Sequence, residues 1–178
     1  MSLAARRGVS LDAGQSLAYG LLGLPLAFVS LPLYVLLPHH YAREFGLPLA
    51  TLGALLLAAR LADALIDPWL GRWIDRCFRR SARSVQRLGA LAALLLALGL
   101  TGLFLPPPPL RAANALLVWA GAALLLTYAA YSLLVIAHQA WGARLGGDEV
   151  ERGRIVAWRE GAGLFGVVLA SVLPAWQG

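Results

Sequence analysis

The chain contains no lysine; all 15 of its basic residues are arginine. We take that as coding bias and read no function from it. It has a single cysteine, Cys77, which excludes an internal disulfide and reads as an incidental thiol. Its three histidines, His39, His40 and His138, are too scattered to form a zinc site. No nucleophile–base pair, metal cluster or phosphate-cradling loop stands out, so nothing supports an enzyme or a bound cofactor. Charge is scarce as well. Only 13% of residues are charged, 60% are hydrophobic, and the mean hydropathy is +0.71. A soluble domain of 178 residues needs a more polar surface than that, so the chain belongs to the membrane class. The net charge of +6 does not point to nucleic acid. The arginines cluster in short segments between apolar runs, where a nucleic-acid binder would show a basic stripe on a polar face.

What the sequence has in abundance is long apolar runs. About 20 residues of helix cross a bilayer core, and five segments qualify: 17–37, 49–70, 88–105, 113–141 and 155–175. The first is too long for the apolar part of a signal peptide. The connections alternate in charge. Arg6 and Arg7 precede the first span. Arg72, Arg76, Arg79, Arg80, Arg83 and Arg87 follow the second, and Arg144, Arg152 and Arg154 follow the fourth. The other two connections carry only Arg43 and Arg111. The positive-inside rule puts the N-terminus and the two basic connections in the cytoplasm of a multi-pass protein of the inner (plasma) membrane. The expected fold is all-α and membrane-spanning. Small residues within the spans, among them Gly121, Ala122 and the GAGLFG of Gly161–Gly166, suit close helix contacts.

Span two carries an anomaly. Arg60, Asp63 and Asp67 lie in an otherwise apolar run. At about 100° per residue, Asp63 falls near −60° and Asp67 near −20° from Arg60, on one narrow stripe roughly 10 Å long. Each such group costs about 2.5–3.5 kcal/mol at a helix centre. An Arg60–Asp63 ion pair would account for two charges and leave Asp67 over. Carboxylates facing a water-filled cavity, binding a cation or a proton, account for both acids. Pro68 adds to this, because it strips the Ala64 carbonyl of its helical partner.

The next residues carry a resemblance. GRWIDRCFRR, Gly71–Arg80, is similar to the G-x-x-x-D-R-x-G-R-R signature of the major facilitator superfamily. Gly71, Asp75, Arg76, Arg79 and Arg80 match, and Phe78 stands where a second glycine is usual. ARLADALIDPWLG resembles the second-helix pattern of the glycoside–pentoside–hexuronide:cation symporters, the melibiose permease-like family. YGLLGLPLAF, YSLLVIAHQAW and DEVERGRI fall at the expected places, so the resemblance covers nearly the whole chain. It implies that Asp63 and Asp67 hold a coupling Na⁺ or H⁺, that Ser132 adds a hydroxyl to that site, and that Arg60 lies near the cavity. It implies no metal beyond Na⁺ at the two aspartates. It also implies that Gly71, Asp75, Arg76, Arg79 and Arg80 form a gate motif in a cytoplasmic loop, where the arginines also face lipid headgroups. The family's sugar contacts are mostly absent: Ala27 and Val135 replace acids, Gln139 replaces an aromatic, and Glu160 sits where an arginine is aligned, with Arg159 one position off. The cargo is therefore open, whether a sugar, a lipid-like solute or another small molecule.

Groups left to face a substrate are His138, Gln139, Arg159 and Glu160, and His138 reads equally as a residue hydrogen-bonded within the helix bundle. Trp141 and Trp158 read as interfacial anchors. Arg159 and Glu160 have alternative partners in Asp148, Glu149 and Glu151. Transporters of the superfamily resemble two six-helix halves. Five spans over 1–178 therefore match the front of the N-terminal half, a fragment whose expected partner is the remaining C-terminal portion. The expectation is cation-coupled (Na⁺ or H⁺) secondary transport of a small solute by alternating access. The alternative is a non-transporting membrane scaffold or inactive fragment, whose charges merely pair.

Overall fold

The structure is a computed structural model and describes residues 13–110, 112–145 and 149–172. Arg6, Arg7, Arg111, Asp148 and the end of the expected fifth span (173–175) lie outside the described residues. Every regular element is helical: α1 (Ala13–Leu21), α2 (Gly23–Leu31), a π-helical turn (Pro32–Leu36), α3 (Leu37–Phe45), α4 (Leu49–Arg80), α5 (Ala82–Phe104), a 3₁₀ turn (Pro108–Leu110), α6 (Ala113–Leu145) and α7 (Glu149–Val172). Among the described residues, five helical stretches are long and apolar enough to cross a membrane. Their large apolar side chains point outward: Leu65 and Val118 are each 75% exposed. In water such surface would be a liability, whereas in a bilayer it is the solvated face.

The first stretch, Ser16–Phe45, departs from the regular helix expected over 17–37. Pro25, Pro32 and Pro38 each lack an amide hydrogen, so the carbonyls of Leu21, Phe28 and Tyr34 lose their α-helical donors. The chain answers with a break at Leu22, whose amide bonds the Tyr19 carbonyl at 3.3 Å, and with the π turn beginning at Pro32. Gly46 then ends α3 at φ 65°, a conformation open to glycine at little cost.

The second departure is larger. The basic segment expected as a loop is helix: α4 runs unbroken from Leu49 through Pro68 to Arg80, and only Ser81 interrupts the path into α5. Hydropathy marks where apolar residues stop, but arginine is a good helix former and favours a helix C-terminus. Arg79 and Arg80 occupy the last turn. Ser81 caps the next helix, its Oγ accepting from the Ser84 amide at 3.1 Å. At 1.5 Å per residue, α4 is roughly 48 Å long, well beyond the ~30 Å hydrocarbon core. The same effect lengthens α6 to Leu145 and starts α7 at Glu149, whose first turn holds Glu149 and Glu151, where acids favour a helix N-terminus.

The chain forms two compact units: Met1–Pro32 with His138–Gly178, and Leu33–Ala137. In the first, α1 and α2 pack along α7 through missing side chains. A Cβ on Gly20 would lie 2.9 Å from the Trp158 backbone, one on Gly23 2.9 Å from the Arg159 carbonyl oxygen, and one on Gly166 against the Leu24 carbonyl oxygen. Of the small residues singled out in span five, Gly166 is buried at the contact. Gly161 faces open space, because it sits on the opposite side of α7.

In the second unit, Leu33, Leu37, Tyr41, Leu52, Leu103, Leu116 and Leu124 form the core. Two of its polar side chains are partnered across helices. The Tyr41 hydroxyl donates to the Leu103 carbonyl, and Trp119 Nε1 to the Gly102 carbonyl, each at 2.8 Å. Gly99 lets α5 approach Thr127 of α6, where a Cβ would collide with the threonine hydroxyl.

Candidate functional site

The second unit holds the polar centre, and α4 supplies most of it. Asp63 is 2% exposed. Both its oxygens accept hydrogen bonds: Oδ1 from Ser132 Oγ of α6 at 2.9 Å, and Oδ2 from Arg60 Nη1, also at 2.9 Å. Arg60 and Asp63 are one helical turn apart, and the ion pair between them is the one their spacing allows. Four residues on, Asp67 shares the stripe. Its Oδ1 is buried without a hydrogen-bond partner, although buried acceptors are nearly always satisfied. Between them, one guanidinium and two carboxylates leave one negative charge over.

The stripe is not uniformly enclosed. The Arg60 side chain is 56% exposed where that of Asp63 is 2%, because a long arginine can reach out from the same face that buries a short aspartate. Its guanidinium meets Tyr34, a residue the sequence reading missed. Nη1 donates to the Tyr34 hydroxyl at 3.1 Å, and the guanidinium carbon lies 5.6 Å from the ring centroid. Tyr34 sits within the π turn, and its ring is 5.7 Å from that of Tyr128. The available signal was the pair Pro32 and Pro38, which bracket the tyrosine and disturb the helix there. π turns recur at functional positions.

The chemistry of this donor set is hard oxygen. Asp63, Asp67 and the Ser132 hydroxyl offer only oxygen, which suits a hard cation or a proton better than a soft metal. Among the described residues, no three His, Cys, Asp or Glu side chains converge.

The residues expected to face substrate lie in the first unit, and three of them are engaged there. His138 is 5% exposed. Its Nε2 lies 3.0 Å from the Tyr19 carbonyl, while the Tyr19 hydroxyl donates to the His138 carbonyl at 2.8 Å. A carbonyl can only accept, so Nε2 carries the proton. Arg159 interacts with the Tyr19 hydroxyl and grips Glu160 Oε1 through Nε and Nη2 at 3.1 and 2.7 Å. Its observed acid partner is thus its neighbour Glu160. Gln139 and Trp158 are exposed, and Trp141 is half-buried.

Gly71–Arg80, the segment expected to act as a gate, forms the end of α4. Arg76 Nε donates to the Arg72 carbonyl at 3.2 Å, and the Arg72 guanidinium lies 4.5 Å from the Trp69 ring. Ile74 is fully buried, whereas Asp75, Arg79 and Arg80 are exposed. Gly71 has open space where a Cβ would go.

Compared with known proteins, residues 16–176 match the family described as MFS/sugar transport protein. No curated protein and no solved structure matches the chain.

Proposed function

Because the chain belongs to the MFS/sugar transport protein family, a family of multi-pass solute transporters, we propose that it couples solute movement to a cation. The coupling ion is Na⁺ or H⁺, and the cation binds between Asp63 and Asp67 with Ser132 beside it. The observation that carries this reading is the imbalance at the site: Asp63 accepts from both Ser132 and Arg60, while Asp67 keeps a buried, unpartnered oxygen. A small cation would neutralise the remaining charge and give that oxygen a partner. Structural pairing alone would need only one acid for the one arginine.

In this reading the protein works by alternating access in the inner (plasma) membrane, N-terminus inside, and the basic end of α4 lies at the cytoplasmic gate. Arg60 faces the transport pathway; the cargo is a small solute. The test is uptake driven by a Na⁺ or pH gradient, measured with this chain joined to the C-terminal portion expected as its partner. Asp63→Asn and Asp67→Asn should each abolish the gradient's effect at unchanged protein level. Uptake in both variants that keeps the Na⁺ and pH dependence of the unmodified protein would remove the cation site from α4.

A further inference from the structure

Arg60 Nη1 is shared. It donates to Asp63 Oδ2 at 2.9 Å and to the Tyr34 hydroxyl at 3.1 Å, and one such nitrogen carries two hydrogens. Resting on the cation reading above, we propose that Tyr34 is a positioning residue that keeps hold of Arg60 when it loosens from Asp63 and thereby sets how readily Asp63 accepts a cation. A cation arriving at Oδ2 meets the guanidinium already there, and two positive charges cannot share one carboxylate oxygen without strong repulsion. Arg60 must loosen its hold. Tyr34 offers the released guanidinium both a hydroxyl acceptor and a ring face 5.6 Å away, so the arginine is held in place of being stranded in an apolar setting.

The backbone under Tyr34 favours this role. It lies in the π turn Pro32–Leu36, and its carbonyl cannot receive an α-helical bond because residue 38 is proline. A segment with weakened internal bonding can shift its side chain more easily than a regular helix can. Asp63 has a second support, Ser132 on Oδ1, so losing Arg60 from Oδ2 does not set the carboxylate adrift.

The experiment is a cation titration of the purified chain in detergent, followed by the fluorescence of its six tryptophans, with Na⁺ and with H⁺ in separate series. Asp63→Asn defines the background. Tyr34→Phe keeps the ring and removes only the hydroxyl. It should raise the half-saturating cation concentration by about 3–10-fold, the size of one hydrogen bond. In an Arg60→Ala background the same substitution should change nothing, because its effect runs through the arginine. An unshifted Tyr34→Phe titration, or an equal shift with and without Arg60, overturns the proposal and leaves the cation reading standing. An unmodified chain whose response matches Asp63→Asn for both ions overturns the two together.

Discussion

Tyr19 and His138 hold each other by two hydrogen bonds running in opposite directions across 119 positions of sequence. The hydroxyl of the first donates to the carbonyl of the second at 2.8 Å, and the imidazole Nε2 of the second donates to the carbonyl of the first at 3.0 Å. Their rings lie 4.3 Å apart. Gly142 makes room for this, since a Cβ there would overlap the Tyr19 hydroxyl.

This clasp should be structural in its effects. Tyr19→Phe removes one hydrogen bond and should destabilise the protein by about 1 kcal/mol. His138→Ala also empties a buried site and should cost about 2–4 kcal/mol. Thermal melts in detergent measure both, and a His138→Ala protein as stable as the parent would contradict the clasp.

The helix contacts separate glycines that matter from those that do not. Gly166→Ala drives a methyl group into the Leu24 carbonyl, and Gly20→Ala one into the Trp158 backbone; each should destabilise by about 1–3 kcal/mol. Gly161→Ala and Gly71→Ala enter open space in helix interiors and should be neutral or stabilise by up to about 1 kcal/mol. Melting temperatures of the four variants should fall into these two groups.

At the polar centre, Ser132→Ala removes the donor on Asp63 Oδ1. Under the proposed cation coupling, the half-saturating cation concentration for uptake should rise by about 3–10-fold, with the maximal rate less affected. Ser132→Thr keeps the hydroxyl and should recover much of the loss.

The single break after α4 should be sensitive to its cap. Ser81→Ala loses the bond to the Ser84 amide and should lower stability by about 1 kcal/mol, whereas Ser81→Asp should preserve it. Hydrogen exchange at the Ser84 amide reads the difference directly, with faster exchange in the alanine variant.

The sequence made some of this legible and hid the rest. Apolar runs of sufficient length located all five membrane-crossing helices, because hydropathy is a local property. It misplaced their ends, since Arg72–Arg80 ends the apolar run without ending the helix. The Arg60–Asp63 pair follows from helical spacing. The Ser132–Asp63 contact joins residues 69 positions apart, and only the family resemblance pointed to it. Tyr34 gave little signal, because an aromatic in an apolar run reads as core or lipid contact. Gly20 and Gly23 were passed over for the denser glycines of span five, although a contact between helices needs a small residue only where the backbones cross.

The unbroken α4 has a mechanical meaning. Its buried acid and its arginine-rich tip lie on one continuous helix, about 17 residues or roughly 25 Å apart along the axis. A tilt of about 10° at the level of Asp63 would sweep the tip sideways by roughly 4 Å over that arm. With only Ser81 between α4 and α5, little slack exists to absorb the swing. The continuous helix would therefore carry a tilt at the carboxylate to its arginine-rich tip, with Pro68 as the one point on the way where a helical bond is missing.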